Sequence, residues 1–135
     1  MFFLKSNKKL TDHFFLYEAA CKDGSSYPRK WIKDRAIPLA LDLETIREAL
    51  GGKPLLINSW YRTPEYNKKV GGELLSFHTQ GSAVDLWAKG FSSDSLFKIV
   101  LSLIEGKKIK DGGVGLYQWG VHYDHGPGGR RWDKR

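Results

Sequence analysis

The chain has 135 residues, 41% of them hydrophobic and 27% charged, a balance that suits one globular domain over residues 1–135 and argues against both disorder and a two-domain division. Its net charge of +7 favours a polyanionic partner, with nucleic acid the first class to consider. The lysines and arginines are scattered through "NKKL", "YPRKWIKDR", "NKKV" and "GKKIK", with one denser run at "RRWDKR". No groove-reading motif accompanies them, so a solvated basic face is expected and nucleic acid is not.

In chain order, "MFFLKSNKK" has three apolar residues after Met1 with the lysines behind them, which is not the order of a secretory signal. No stretch is long enough to span a membrane. The chain is therefore expected to be made in the cytoplasm, to insert in no membrane, and to need another route to any target outside. "LTDHFFLYEAAC" suits a short amphipathic helix. Cys21 is the only cysteine, which excludes an intrachain disulfide and a Cys-rich structural zinc site. "RAIPLALDLETIREALGG" is a clearer helix, with Leu39, Leu43, Ile46 and Leu50 on one face and Gly51-Gly52 as its stop.

"PLLINSW" reads as a buried strand, and Thr63-Pro64 opens a short helix through Val70 that Gly71-Gly72 ends. "AVDLWA" is the next strand. Ser92 or Ser93 caps a helix whose Leu96, Ile99, Val100 and Leu103 share a face and which stops near Gly106. "GGVGLY" and "GVHYD" are two short strands joined by a tight turn at Gln118-Trp119. The sum is an α+β fold, helices packed against a small antiparallel sheet.

Chemistry gathers in "SFHTQGSAVDLW", residues 76–87. In an unbroken helix His78 and Asp85 would lie about 10.5 Å apart along the axis, and in an unbroken strand roughly 23 Å apart on opposite faces. Shared chemistry therefore requires a bend, for which Gly81 supplies the permissive backbone. The other histidine cluster is "WGVHYDHG", where strand alternation puts His122 and Asp124 on one face and Tyr123 and His125 on the other. If His122 joins His78 and Asp85, two nitrogens and one oxygen suit Zn²⁺ and leave a fourth position for water. An open position of that kind belongs to a catalytic site, where the metal brings hydrolysis within reach at neutral pH.

"SFHTQGSAVD" matches the SxHxxGxAxD motif of the zinc D-alanyl-D-alanine carboxypeptidases and their phage endolysin relatives, which share a fold with the Hedgehog signalling domain. "INSWYRTPEYNKKVGG" resembles the SxYRTPxYNxxVGG segment of small phage and prophage members, and "GGVGLYQWGVHYD" their GxGxYxxxVHxD end. The resemblance spans roughly residues 11–132 and implies a Hedgehog/D,D-peptidase-like fold with one zinc per chain, bound by His78, Asp85 and His122. It implies that Arg62 meets the substrate carboxylate or the developing oxyanion, a task for its planar, permanently charged fork. Ser76 then hydrogen-bonds substrate or the ligand loop, or simply stabilises its turn.

Many relatives keep an acid three residues before the last zinc histidine, where this chain has Trp119. Asp124 is the carboxylate on the face of His122, and it either takes the proton from the attacking water or orients a ligand; His-x-Asp spacing also permits direct zinc ligation. The resemblance thus implies a monomeric zinc peptidase of peptidoglycan stem peptides, cutting beside a D-amino acid as carboxypeptidase or endopeptidase, in a phage or prophage lytic setting. Bacterial cell wall is anionic too, so the net charge is compatible with it. A non-catalytic zinc-containing binding module of the same fold is the alternative.

Overall fold

The computed structural model describes residues 8–135; the apolar run at residues 2–4 lies outside them. Five strands form one sheet: β1 Leu56–Ser59, β2 Ala83–Trp87, β3 Gly113–Tyr117, β4 Gly120–Asp124 and β5 Arg130–Asp133. Their spatial order is β1-β2-β4-β3-β5. Three of the four neighbouring pairs are antiparallel, whereas β3 and β5 run parallel, so the sheet is mixed rather than purely antiparallel. The physical reason is β5, which is formed from the basic run "RRWDKR" expected at the surface. After β4 the chain passes to the free edge of β3 and enters it in the direction of β3.

Four α-helices accompany the sheet: α1 Leu16–Ala19, α2 Ile37–Ala49, α3 Pro64–Lys69 and α4 Ser93–Glu105. The first is a single turn, shorter than "LTDHFFLYEAAC" suggests, because Leu10 and Thr11 donate to the Phe14 carbonyl in a turn and Lys9 bridges Phe15. A π-helical turn at Ile32–Ala36 leads into α2. Pro38 lies just beyond it and has no N–H with which to close an ordinary helical bond there. Thr63 caps α3 by accepting from the Tyr66 N–H, and Ser92 caps α4 by accepting from that of Ser95.

Strand alternation divides the sheet into two faces. On one, Val84, Leu86, Val114, Val121 and Tyr123 meet Leu39, Leu43 and Ile46 of α2 and Leu96 and Val100 of α4 in one buried cluster. Burying each such side chain contributes about 1.5–3 kcal/mol. Ile99 and Leu103 pack against this core only in part, and Ile104 takes the inner position nearest the helix end. The opposite face carries the polar residues.

Candidate metal centre

Sheet register assembles most of the site. Asp85 lies directly across from His122, with Ser59 beyond it on β1, Gly115 beyond His122 on β3, and Trp132 beyond Gly115 on β5. A Cβ at Gly115 would collide with the Trp132 indole. The bare backbone there lets that ring lie across β3 until it stands 5.2 Å from the His122 ring. That close approach accounts for glycine in the middle of "GGVGLY".

His78 comes from outside the sheet, on the 3₁₀ turn Phe77–Gln80 that Ser76 caps by accepting from the His78 N–H at 3.1 Å. Gly81 ends the turn with φ +69°, a left-handed conformation that L side chains rarely adopt. Its carbonyl accepts from Tyr27 Oη at 2.8 Å and from Trp60 Nε1 at 3.3 Å, which anchors the bend against two buried aromatics. The chain thus reverses between His78 and Asp85 as their shared chemistry requires.

Hydrogen bonds define which ring nitrogens face the centre. His78 Nδ1 lies 2.6 Å from the Trp60 carbonyl, which only accepts, so Nδ1 carries the proton and Nε2 presents a lone pair. His122 Nε2 lies 2.7 Å from Asp124 Oδ2, which turns its Nδ1 inward. Each inward nitrogen is 3.1 Å from the same atom, Asp85 Oδ1. The three ligand atoms all lie within 4.8 Å of one another. Lone pairs gathered around a carboxylate oxygen repel unless a proton or a cation sits among them. Ligands about 2.0–2.1 Å from a tetrahedral zinc stand about 3.3 Å from each other, close to the observed 3.1 Å. The donor set therefore fits zinc.

The proton responds to the same crowding. Burial alone would lower the His122 pKa, but hydrogen bonds and charge from Asp124 and Asp85 outweigh it and raise the pKa above the ordinary histidine value. Burial would raise the Asp85 carboxyl, yet the His122 and His78 hydrogen bonds hold it well below the carboxylate range. Asp124 is 1% exposed and is depressed likewise, its burial outweighed by His122 and Arg130. Asp124 Oδ1 accepts from the Gly113 and Gly126 N–H groups and from Arg130, and Oδ2 from His122 and Arg130.

Arg62 donates from Nε to Ser59 Oγ at 3.1 Å, from Nη1 to Asn67 Oδ1 at 3.2 Å and from Nη2 to Asp85 Oδ2 at 3.2 Å. It is thereby fixed beside the centre, and Asn67 ties it to the loop after α3 by donating to the Glu73 carbonyl. Arg62, Ser76, His78, Asp85, His122 and Asp124 all line one cleft of about 390 Å³. His125 faces the other way and pairs with Asp42 at 2.7 Å.

Sequence reading missed several residues that line or support the cleft. Arg130, Trp132 and Trp60 act through contacts that only sheet and turn geometry creates. Glu73 also lines the cleft, and among the described residues it is the one cleft acid whose carboxylate has no hydrogen-bond or ion-pair partner. Trp119, at the position where relatives often keep an acid, stacks on Tyr117 with ring centroids 4.7 Å apart.

An α+β domain that turns two histidines and a carboxylate into a cleft can hold a metal ion there. Residues 11–124 match the family model of peptidase M15, and the chain belongs to that family, whose peptidases depend on zinc and act on peptidoglycan. No curated protein matches the chain. Among the described residues no helix is long and apolar enough to cross a membrane.

Proposed function

We propose that this chain hydrolyses an amide bond next to a D-amino acid in the stem peptide or cross-bridge of peptidoglycan, as a monomeric lytic enzyme of phage or prophage type. The observation that carries the peptidase reading is the convergence of His78 Nε2 and His122 Nδ1 on one Asp85 oxygen in an open cleft. The lytic setting is supported by the three sequence blocks shared with small phage and prophage members, and such an enzyme reaches the wall on lysis or through a partner pore.

His78, Asp85 and His122 hold one zinc ion per chain, with Trp60 and Asp124 keeping the two imidazoles in the tautomers that bind it. Zinc bound there supplies a Lewis acid for the scissile carbonyl and a water of lowered pKa. Arg62, locked by three partners, stabilises negative charge developing on the substrate. Ser76 spends a lone pair on the His78 N–H and keeps its hydroxyl proton for a substrate carbonyl. Asp124 serves as the orienting partner of His122, since five donors already occupy its oxygens. That leaves the Glu73 carboxylate to accept a proton and return it to the leaving amine.

Elemental analysis of the purified protein should find one zinc per chain, and digestion of purified sacculi should generate new peptide termini by mass spectrometry. His78→Ala and His122→Ala are expected to lose both zinc and hydrolysis, while Arg62→Ala keeps the metal and loses most of the turnover. Two features favour a second reading, a non-catalytic binding module: Glu73 lies exposed on a loop, and tryptophan stands at position 119. Zinc-loaded protein that binds sacculi and leaves them intact would establish that alternative.

A further inference from the structure

The Arg62–Asp85 pair lies where two clefts meet, and His78 and His122 line the first of them. Arg62, Val70, Asp85 and Trp119 line both; the first, about 390 Å³, extends past Phe77 and Trp132, and the second, about 310 Å³, extends past Asn58 and Tyr66. Each volume alone falls within the ~300–1,000 Å³ that accommodates a drug-sized ligand. Either side therefore has space for more than one small residue. At the junction Val70 and Trp119 are 46% and 43% exposed, which offers apolar contact to a chain continuing from one cleft into the other.

A peptidase that removes a terminal residue needs a blind end with a fixed cation for the free carboxylate. The cations here do not build one. Arg62 lines both clefts and so stands at their junction rather than at a closed end of either, and Arg130 is paired with the buried Asp124. Lys134 in the first cleft and Lys22 in the second are exposed to solvent.

We infer that the substrate is a peptide running through both clefts, so that the scissile bond is internal, as in a cross-linked or bridging peptide, rather than the last bond of a stem. This inference rests on the peptidase reading above. Hydrolysis breaks the amide C–N bond; the acyl carbon takes the hydroxyl of water and the nitrogen takes its proton, so both products remain peptidyl.

The test uses the zinc-loaded full chain with purified sacculi and a pair of synthetic stem peptides. One peptide ends in a free D-alanyl-D-alanine carboxylate; the other continues past that residue through further amide-linked residues and ends as a carboxamide. The expected result is that kcat/KM on the extended amide is no worse than about a tenth of that on the free acid, and that sacculi yield only products of two or more residues. A preference for the free acid beyond about tenfold, with free alanine released from sacculi, would overturn the inference while leaving the peptidase reading intact. Zinc-loaded protein inert towards sacculi and both peptides would overturn the peptidase reading and this inference with it.

Discussion

Asp124 has the charge of a general base but the surroundings of an anchor. Its oxygens face His122, Arg130 and two main-chain N–H groups, and a carboxylate so engaged orients an imidazole better than it receives a proton. Asp124→Asn is therefore expected to weaken zinc binding about 10- to 100-fold, with a smaller loss of turnover at saturating metal. A zinc titration and a rate on the same variant decide the matter, since normal affinity with a 10²- to 10⁴-fold rate loss, roughly, would instead make Asp124 the base. Glu73 is the converse case. Exposed and unpartnered, it should tolerate Glu73→Gln with unchanged zinc content and melting temperature while kcat falls by about 10²- to 10⁴-fold. Wild-type turnover in that variant would remove it from the mechanism.

Among the elements, the bend after the 3₁₀ turn places His78 relative to β2. A Cβ at Gly81 would lie 2.6 Å from Tyr27 Oη on a backbone at φ +69°. Left-handed backbone alone costs about 1–2 kcal/mol for a residue with a side chain, and moving Tyr27 adds to it. Gly81→Ala should therefore lower the melting temperature and weaken zinc binding together, because the same turn carries a ligand. Thermal melts with and without zinc would show it, and an unchanged melt in both would mean that the turn relaxes freely. The glycines of β3 act differently, by lowering one face of a strand so that Trp132 and Arg130 reach over it to His122 and Asp124.

For the whole molecule, metal and proton compete for one position. In the metal-free protein the Asp124 and Asp85 carboxylates favour the protonated form of His122 and raise its pKa. Stability from that charge is present below the ordinary histidine pKa of about 6.5 and is lost as pH rises through the raised folded value. Asp85 and Asp124 are depressed, so their contribution is present above about pH 3.9 and is lost as pH falls towards their folded values. Zinc needs the deprotonated Nδ1, and its affinity should weaken by about tenfold for each pH unit below the His122 pKa. Calorimetric titration in buffers of different protonation enthalpy should detect the released proton. Affinity flat from about pH 5 to 8, a window spanning the ordinary histidine pKa, would show that His122 does not enter as imidazolium.

The set His78, Asp85 and His122 is implied by the family motifs, while local signals in the chain were enough for the opening of α3 at Thr63-Pro64, a serine cap at position 92 or 93, the break at Gly81 and the strands around Asp85 and His122. Those local signals depend on neighbours within a turn or on alternation along one strand, which is information a linear sequence holds. Tertiary structure alone decided that β5 lies parallel to β3, that Trp60 and Asp124 set the imidazole tautomers, that Arg62 is locked by Ser59 and Asn67, and that Glu73 is left free at the cleft. Each of these joins segments through sheet register or a long-range hydrogen bond. Side chains far apart in the chain meet only after the sheet has formed and one face has been buried, and no local propensity encodes which of them will face each other across it.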